Sequence, residues 1–223
     1  MMSPTEKPRK RVGNPPQKLQ KSSRKWMYIA LVLIVIAIAV VAVVVSQNLL
    51  SNPQDNNEPA GNPVALFDTD YGTFKVELFQ DKMPETVDNF VTLVNDGFYN
   101  GLIFHRIKDD FMIQAGRETP DGNPKTSPYG NIQFETSDIS HVDGAISMAS
   151  TAAKVGGSAE FFICDGAQTF LDGDYASFGV VIEGMDVVRA IAASPNDGSL
   201  EPNPGGGKPL TDIVINNIVI LSS

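Results

Sequence analysis

Two residues eight positions apart carry most of the chemistry that can be read in this chain. Arg106 lies within Phe104-His105-Arg106-Ile107, and Gln114 within Phe111-Met112-Ile113-Gln114-Ala115-Gly116. An arginine does not shed its charge, so an apolar setting is costly unless its N–H donors meet acceptors. A guanidinium among large apolar side chains, with a neutral amide close by, is either a structural ion-pair member or the polar centre of an apolar binding pocket. Taken alone, the stretch leaves both open.

Other reactive residue types are sparse. The two histidines, His105 and His141, are far apart in sequence and make no metal site. His105 reads as a packed neighbour that orients its strand, and His141 as a loop residue. Cys164, the only cysteine, sits in Phe161-Phe162-Ile163-Cys164. It can form no internal disulfide, and it reads as a small buried hydrophobe rather than a nucleophile.

The elements that must position these residues follow from periodicity. Phe74, Val76 and Leu78 alternate with Lys75 and Glu77, and Tyr71-Gly72 precedes them as a turn, so residues 64–79 are predicted to form a hairpin. Pro84 suits the first turn of a helix, Val87, Phe90, Val91 and Val94 recur at helical spacing, and Gly97 ends the run. Short strands are predicted over 102–107, 112–115, 145–149, 160–164 and 177–182, and a closing strand over 211–221. A second helix is marked by Val187, Val188, Ile191 and Ala192. Residues 117–140 are rich in Gly, Pro and Asn and form a candidate functional loop. Many strands with two separated helices predict a mainly β fold, a closed antiparallel barrel capped by helices.

Charge divides the chain. Eight of the 17 Lys and Arg precede residue 26, against one acidic residue, so the remaining chain holds nine basic and 25 acidic residues and carries −16. Such an acidic body argues against nucleic acid as a partner. Residues 1–25, basic and with four prolines, read as a disordered cytoplasmic tail. Residues 26–45 form an uncharged apolar run opened by Trp26 and Tyr28, long enough to cross a bilayer as one helix. The positive charges before it predict a single-pass anchor with its N-terminus in the cytoplasm. The run is longer than the apolar core of a cleaved signal peptide, and Val43-Val44-Val45-Ser46 is a poor cleavage site. Residues 46–63 read as a flexible linker, and residues 64–223 as the globular domain.

Spaced motifs across that domain resemble the cyclophilin-type peptidyl-prolyl cis-trans isomerases. They are Phe104-His105-Arg106, the run from Phe111 to Gly116, Ser147-Met148-Ala149, Phe161-Phe162-Ile163-Cys164, Leu171-Asp172-Gly173 and Phe178-Gly179, in that order. The resemblance extends to the run from Pro84 to Phe90 and to Glu183-Gly184-Met185-Asp186. It implies eight barrel strands with two capping helices, and rotation of X-Pro bonds in unfolded or partly folded polypeptides, with no cofactor or metal. A monomer is expected. By motif position Arg106 is the catalytic arginine. Phe111, Met112, Phe162 and Leu171 would line the proline slot, and Gln114 would bond both substrate and Arg106. Ser150 and Thr151 would face the residues before the proline, and Tyr175 stands where the family often has His or Tyr.

Three positions depart from the family pattern. Glu160 stands where Gln is usual, and an acid there is expected to pair with Arg106 or with a cationic substrate. Phe170 replaces a frequent tryptophan and removes an indole donor, so weakened cyclosporin binding with catalysis kept is expected. Arg117 stands where Asp is common. The alternative reading is a non-catalytic proline-peptide-binding module, or holdase, on the same fold.

Overall fold

The computed structural model describes Tyr28, Ile29 and residues 61–136, 138–199 and 205–221. The chain divides into two compact units, residues 1–57 and 58–223, and the second holds the sheet and the site. The apolar run 26–45 lies outside the described residues apart from Tyr28 and Ile29. Among the described residues no helix is long and apolar enough to cross a membrane.

Strands β1 (Val64–Thr69) and β2 (Gly72–Leu78) form the predicted hairpin, paired antiparallel with Phe67 opposite Phe74. Alternation sends Ala65, Phe67, Phe74, Val76 and Leu78 inward, and the two phenylalanine rings stack with centroids 4.5 Å apart. The first helix, α1 (Pro84–Asn95), buries Val87, Phe90, Leu93 and Val94. No side chain caps it locally. Instead the Glu135 carboxylate, from the irregular loop, accepts the backbone N–H of Thr86 at 2.9 Å and of Glu85 at 3.3 Å. An anion thus meets the orphan donors and positive end of the helix from across the fold.

The remaining elements are β3 (Arg106–Lys108), β4 (Met112–Ala115), β5 (Ala145–Met148), β6 (Phe161–Cys164), a 3-10 turn (Thr169–Leu171), β7 (Ala176–Glu183), α2 (Met185–Ala192) and β8 (Ile215–Leu221). They form one antiparallel sheet in the order β3-β4-β6-β5-β7-β2-β1-β8. Its outer strands are β3 and β8, and the chain just before each of them joins the two edges. Ile215 N–H donates to Leu102 at 2.8 Å, and Phe104 N–H to Ile213 at 3.0 Å. The sheet therefore curls around a core in which Phe90 meets Phe67, Tyr99, Phe161 and Phe178. Two predicted strands are shorter than read. The strand expected over 102–107 begins at Arg106 and the one expected over 211–221 at Ile215, because their first residues meet in a single isolated bridge, Ile103 opposite Val214, instead of a ladder.

Strands β4, β5 and β6 are buried at every position, on both faces. One face joins the main core through Ile113, Ile146, Phe161 and Ile163. The other carries a second apolar cluster of Met112, Ala145, Phe162 and Cys164, flanked by Phe111, Ala149, Leu171 and Tyr175. A sheet face that would ordinarily be polar and wet is apolar here. The site lies on it.

Candidate active site

Register places the key pair. Arg106 of β3 is directly opposite Gln114 of β4, and Gln114 is opposite Phe162 of β6, so all three side chains rise from the outer face in one row. They line a cavity of about 310 Å³ together with Met112 and Ala149. Phe111, Phe170, Leu171, Tyr175 and Ser150 complete the lining. Leu171 arrives on the 3-10 turn, and Tyr175 meets the Phe162 ring edge-on at 5.8 Å. Phe170, 69% exposed, stacks over Phe111 at 6.1 Å and forms the rim. Thr151 lies elsewhere, in an adjoining cavity of about 320 Å³ that shares Gln114, Ala149 and Ser150 and also contains Arg117 and Glu160.

A short polar chain fixes the guanidinium. Arg106 Nη1 donates to Gln114 Oε1 at 2.8 Å, and Gln114 Nε2 donates to Glu160 Oε2 at 3.0 Å. Burial draws the Arg106 guanidinium below its ordinary pKa, while Tyr175 and Glu160 act in the opposite direction. Among the described residues Arg106 has no carboxylate within ion-pair distance, and Glu160 pairs instead with His105 and Arg117, at 3.6 Å each. The pairing of Glu160 with Arg106 weighed from sequence is thus replaced by an indirect link through Gln114. A carboxylate only accepts hydrogen bonds, so it takes the Gln114 amide N–H and leaves the amide oxygen turned to Arg106. A glutamine at position 160 offers both donor and acceptor and would permit either orientation.

The Glu160 carboxyl titrates below its ordinary value. Burial pushes it up, but the neighbouring His105 imidazole, the charge of Arg117 and the Gln114 bond together outweigh burial. A depressed folded value means that its stabilising contribution is complete above the unfolded value of about 4.3 and is lost as pH falls through the folded one. Protonation would also end its role as pure acceptor. Measured by NMR exchange on a proline tetrapeptide between neutral and acid pH, the isomerisation rate is expected to fall in acid below that unfolded value. A Glu160→Gln variant should lack this acid limb and turn over more slowly than the parent at neutral pH. Identical acid limbs in both proteins would contradict the assignment.

Other side chains here are chemically quiet. Burial, reinforced by the charges of Asp143 and Asp172, pushes the Cys164 thiol up to about 12, consistent with a packing role. The Ser150 hydroxyl donates to Ala152 O at 2.6 Å and serves its own turn. What the cavity offers is an apolar slot with one oriented cation at its side. Sequence reading missed His141 here: it is a loop residue, but one with no exposed surface, stacked behind Phe162 at 6.0 Å.

The family profile described as cyclophilin type peptidyl-prolyl cis-trans isomerase/CLD matches residues 64–220. The chain belongs to this family. Among cyclophilin relatives, a peptidyl-prolyl cis-trans isomerase of Synechococcus elongatus is 41% identical over 129 residues, 57% of this chain and 87% of the relative. A peptidyl-prolyl cis-trans isomerase-like 3 of Gallus gallus is 37% identical over 155 residues, covering 68% and 92%. A cyclophilin-type isomerase of Cryptosporidium parvum, crystallised in the presence of the dipeptide Ala-Pro, superposes with a TM-score of 0.63 at 32% identity, over 72% of this chain and 99% of the other. The chain is accordingly a cyclophilin-type peptidyl-prolyl cis-trans isomerase, acting on proline-containing peptides, with a curled eight-stranded antiparallel sheet and two helices.

Proposed function

We propose that this cyclophilin works outside the cytoplasmic membrane, held there by residues 26–45, and that it turns X-Pro bonds of exported or surface polypeptides with Arg106 as its catalytic group. The catalytic part of the reading is carried by one observation, the Arg106 guanidinium bonded to Gln114 beside an apolar cavity. An X-Pro bond favours trans by only about 0.5–1 kcal/mol, yet the barrier to rotation is about 18–20 kcal/mol. The barrier arises because the proline nitrogen shares its lone pair with the carbonyl. Twisting localises that pair on nitrogen, and a cationic donor aimed at it stabilises the twisted state more than the planar one. In this reading Phe111, Met112, Phe162 and Leu171 hold the proline ring, and Gln114 holds both Arg106 and the substrate backbone. Ser150 and Thr151 face the residues before the proline, with Glu160 and Tyr175 at the margins and Phe170 at the rim. Rotation makes and breaks no covalent bond.

The location rests on the uncharged run 26–45 and the eight basic residues preceding it, with residues 46–63 as the tether. Clients are unfolded or partly folded chains that expose prolines, and the enzyme acts as a monomer. Topology has a clean test, because the single native cysteine is fully buried and its thiol is pushed up to about 12. A cysteine introduced at exposed Leu210 is expected to react with a membrane-impermeant maleimide in intact cells. Protection until the cells are lysed would overturn the external location. The catalytic assignment is tested by a protease-coupled proline assay on the full chain in detergent, with Arg106→Ala as the comparison.

A further inference from the structure

Behind the cavity lies a polar cluster that the reaction does not use directly. His141 has no exposed surface, yet both of its ring nitrogens are bonded. Nδ1 lies 2.8 Å from Asp172 Oδ1, and Nε2 lies 2.9 Å from Ser147 Oγ. Asp172 is acceptor-only, so it takes the Nδ1 proton and leaves Nε2 to accept the Ser147 hydroxyl. The same carboxylate accepts the His141 backbone N–H at 2.7 Å and the Ser140 hydroxyl at 2.7 Å. The ring is therefore held at both of its nitrogens, and the backbone that carries it at the same carboxylate. Its face lies nearly parallel to the Phe162 ring, at 9° and 6.0 Å between centroids. Serine, histidine and aspartate in this order resemble a hydrolytic triad, but Ser147 has no exposed surface and no substrate can reach it.

We propose that His141, locked by Asp172, is a positioning residue for the proline cavity, acting through Phe162 on one wall and through Leu171 on the next. Asp172 follows Leu171 directly in the chain, so a single carboxylate ties the turn that carries one wall to the imidazole that backs the other. Phe162 has Tyr175 at its edge and His141 at its face. Without the imidazole, the space behind the ring opens and the ring gains a second orientation. The proline slot then loses its fixed width. The other charged groups on the segments around this cluster have partners of their own: Asp143 is paired with Arg189, and Asp174 lies near Lys154. The inference rests on the cavity being the proline site, and the test separates the two.

The measurement compares His141→Leu, Asp172→Asn and the parent as full chains in detergent micelles. It reads the affinity of an Ala-Ala-Pro-Phe tetrapeptide by NMR titration, its turnover, and the Phe162 ring signals after 13C labelling of phenylalanine. His141→Leu is expected to weaken peptide affinity and raise KM by about tenfold with kcat little changed, and to broaden the Phe162 ring signals through exchange. Asp172→Asn, whose amide oxygen still accepts the Nδ1 proton, should lose less. A purely structural role would lower Tm while leaving KM and the ring signals of the folded protein at parent values, and that result overturns the inference. If His141→Leu does not fold, Asp172→Asn and Ser147→Ala decide on the same readouts. Peptide binding that leaves the Phe162 signals unperturbed in the parent would sink the proline-site reading instead, whatever the variants do.

Discussion

Arg106→Ala is expected to lower kcat/KM for X-Pro rotation by about 10²–10³-fold, the usual loss when one preorganised donor is removed from a developing charge. Thermal stability should change little, because the side chain is only half-buried and its bond among the described residues is to a neutral amide. The loss should fall mainly on kcat, since the planar amide binds in the same apolar slot with or without the cation and only the twisted bond exposes a lone pair to it. Arg106→Lys should recover little. An ammonium keeps the charge, but it lacks the planar fork that gives one N–H to Gln114 while presenting others to the substrate. A protease-coupled assay at neutral pH reads both variants. A rate for Arg106→Ala within a few-fold of the parent would refute the role given to the guanidinium.

Gly116→Ala should be severely damaging for so small a substitution near the site. Gly116 ends the Gln114-Ala115-Gly116 run with φ at +103°, a conformation that L side chains rarely adopt. A Cβ there would stand 2.3 Å from Ala159 O and 2.9 Å from the Glu160 Cα, both backbone atoms. Neither yields easily, because the Ala159 carbonyl also accepts the hydroxyl of fully buried Tyr99 at 3.0 Å. Relief must come from parting β4 and β6 where Gln114 meets Glu160. Strain and displacement together should cost about 3 kcal/mol, or roughly 10 °C in Tm, and should lower activity as the Arg106 bond chain loosens. Gly122→Ala is the control: φ is +79°, but nothing lies within 4 Å of the added Cβ, so only about 1 kcal/mol is expected. Thermal melts that place the two variants together would refute the clash.

Parts of the fold were legible for local reasons. Alternation in residues 73–79 marks a half-buried strand, and β2 is one. Pro84 with Val87, Phe90 and Val94 marks a helix, and α1 begins at Pro84. The strand bounds near 102 and 211 were read too long because the two segments end their pairing on each other across the sheet, a distant relation that no local period records. The cap on α1 was invisible for the same reason, since Glu135 reaches it from about 50 residues away.

Residue types and their order were enough to mark the Arg106 and Gln114 stretch, the apolar side chains around it and a run of bilayer length at residues 26–45. Spaced motifs are one-dimensional objects, and the family resemblance is built from them. Tertiary structure alone decided which groups meet. Register across β3, β4 and β6 aligned Arg106, Gln114 and Phe162, and it put Glu160 on the far side of Gln114 rather than on the arginine. Folding also drew His141 beneath the cavity, 31 residues from the aspartate that holds it. Hydrogen bonds and ring contacts depend on distance in space, and a sheet sets that distance by strand order and register, neither of which local composition encodes.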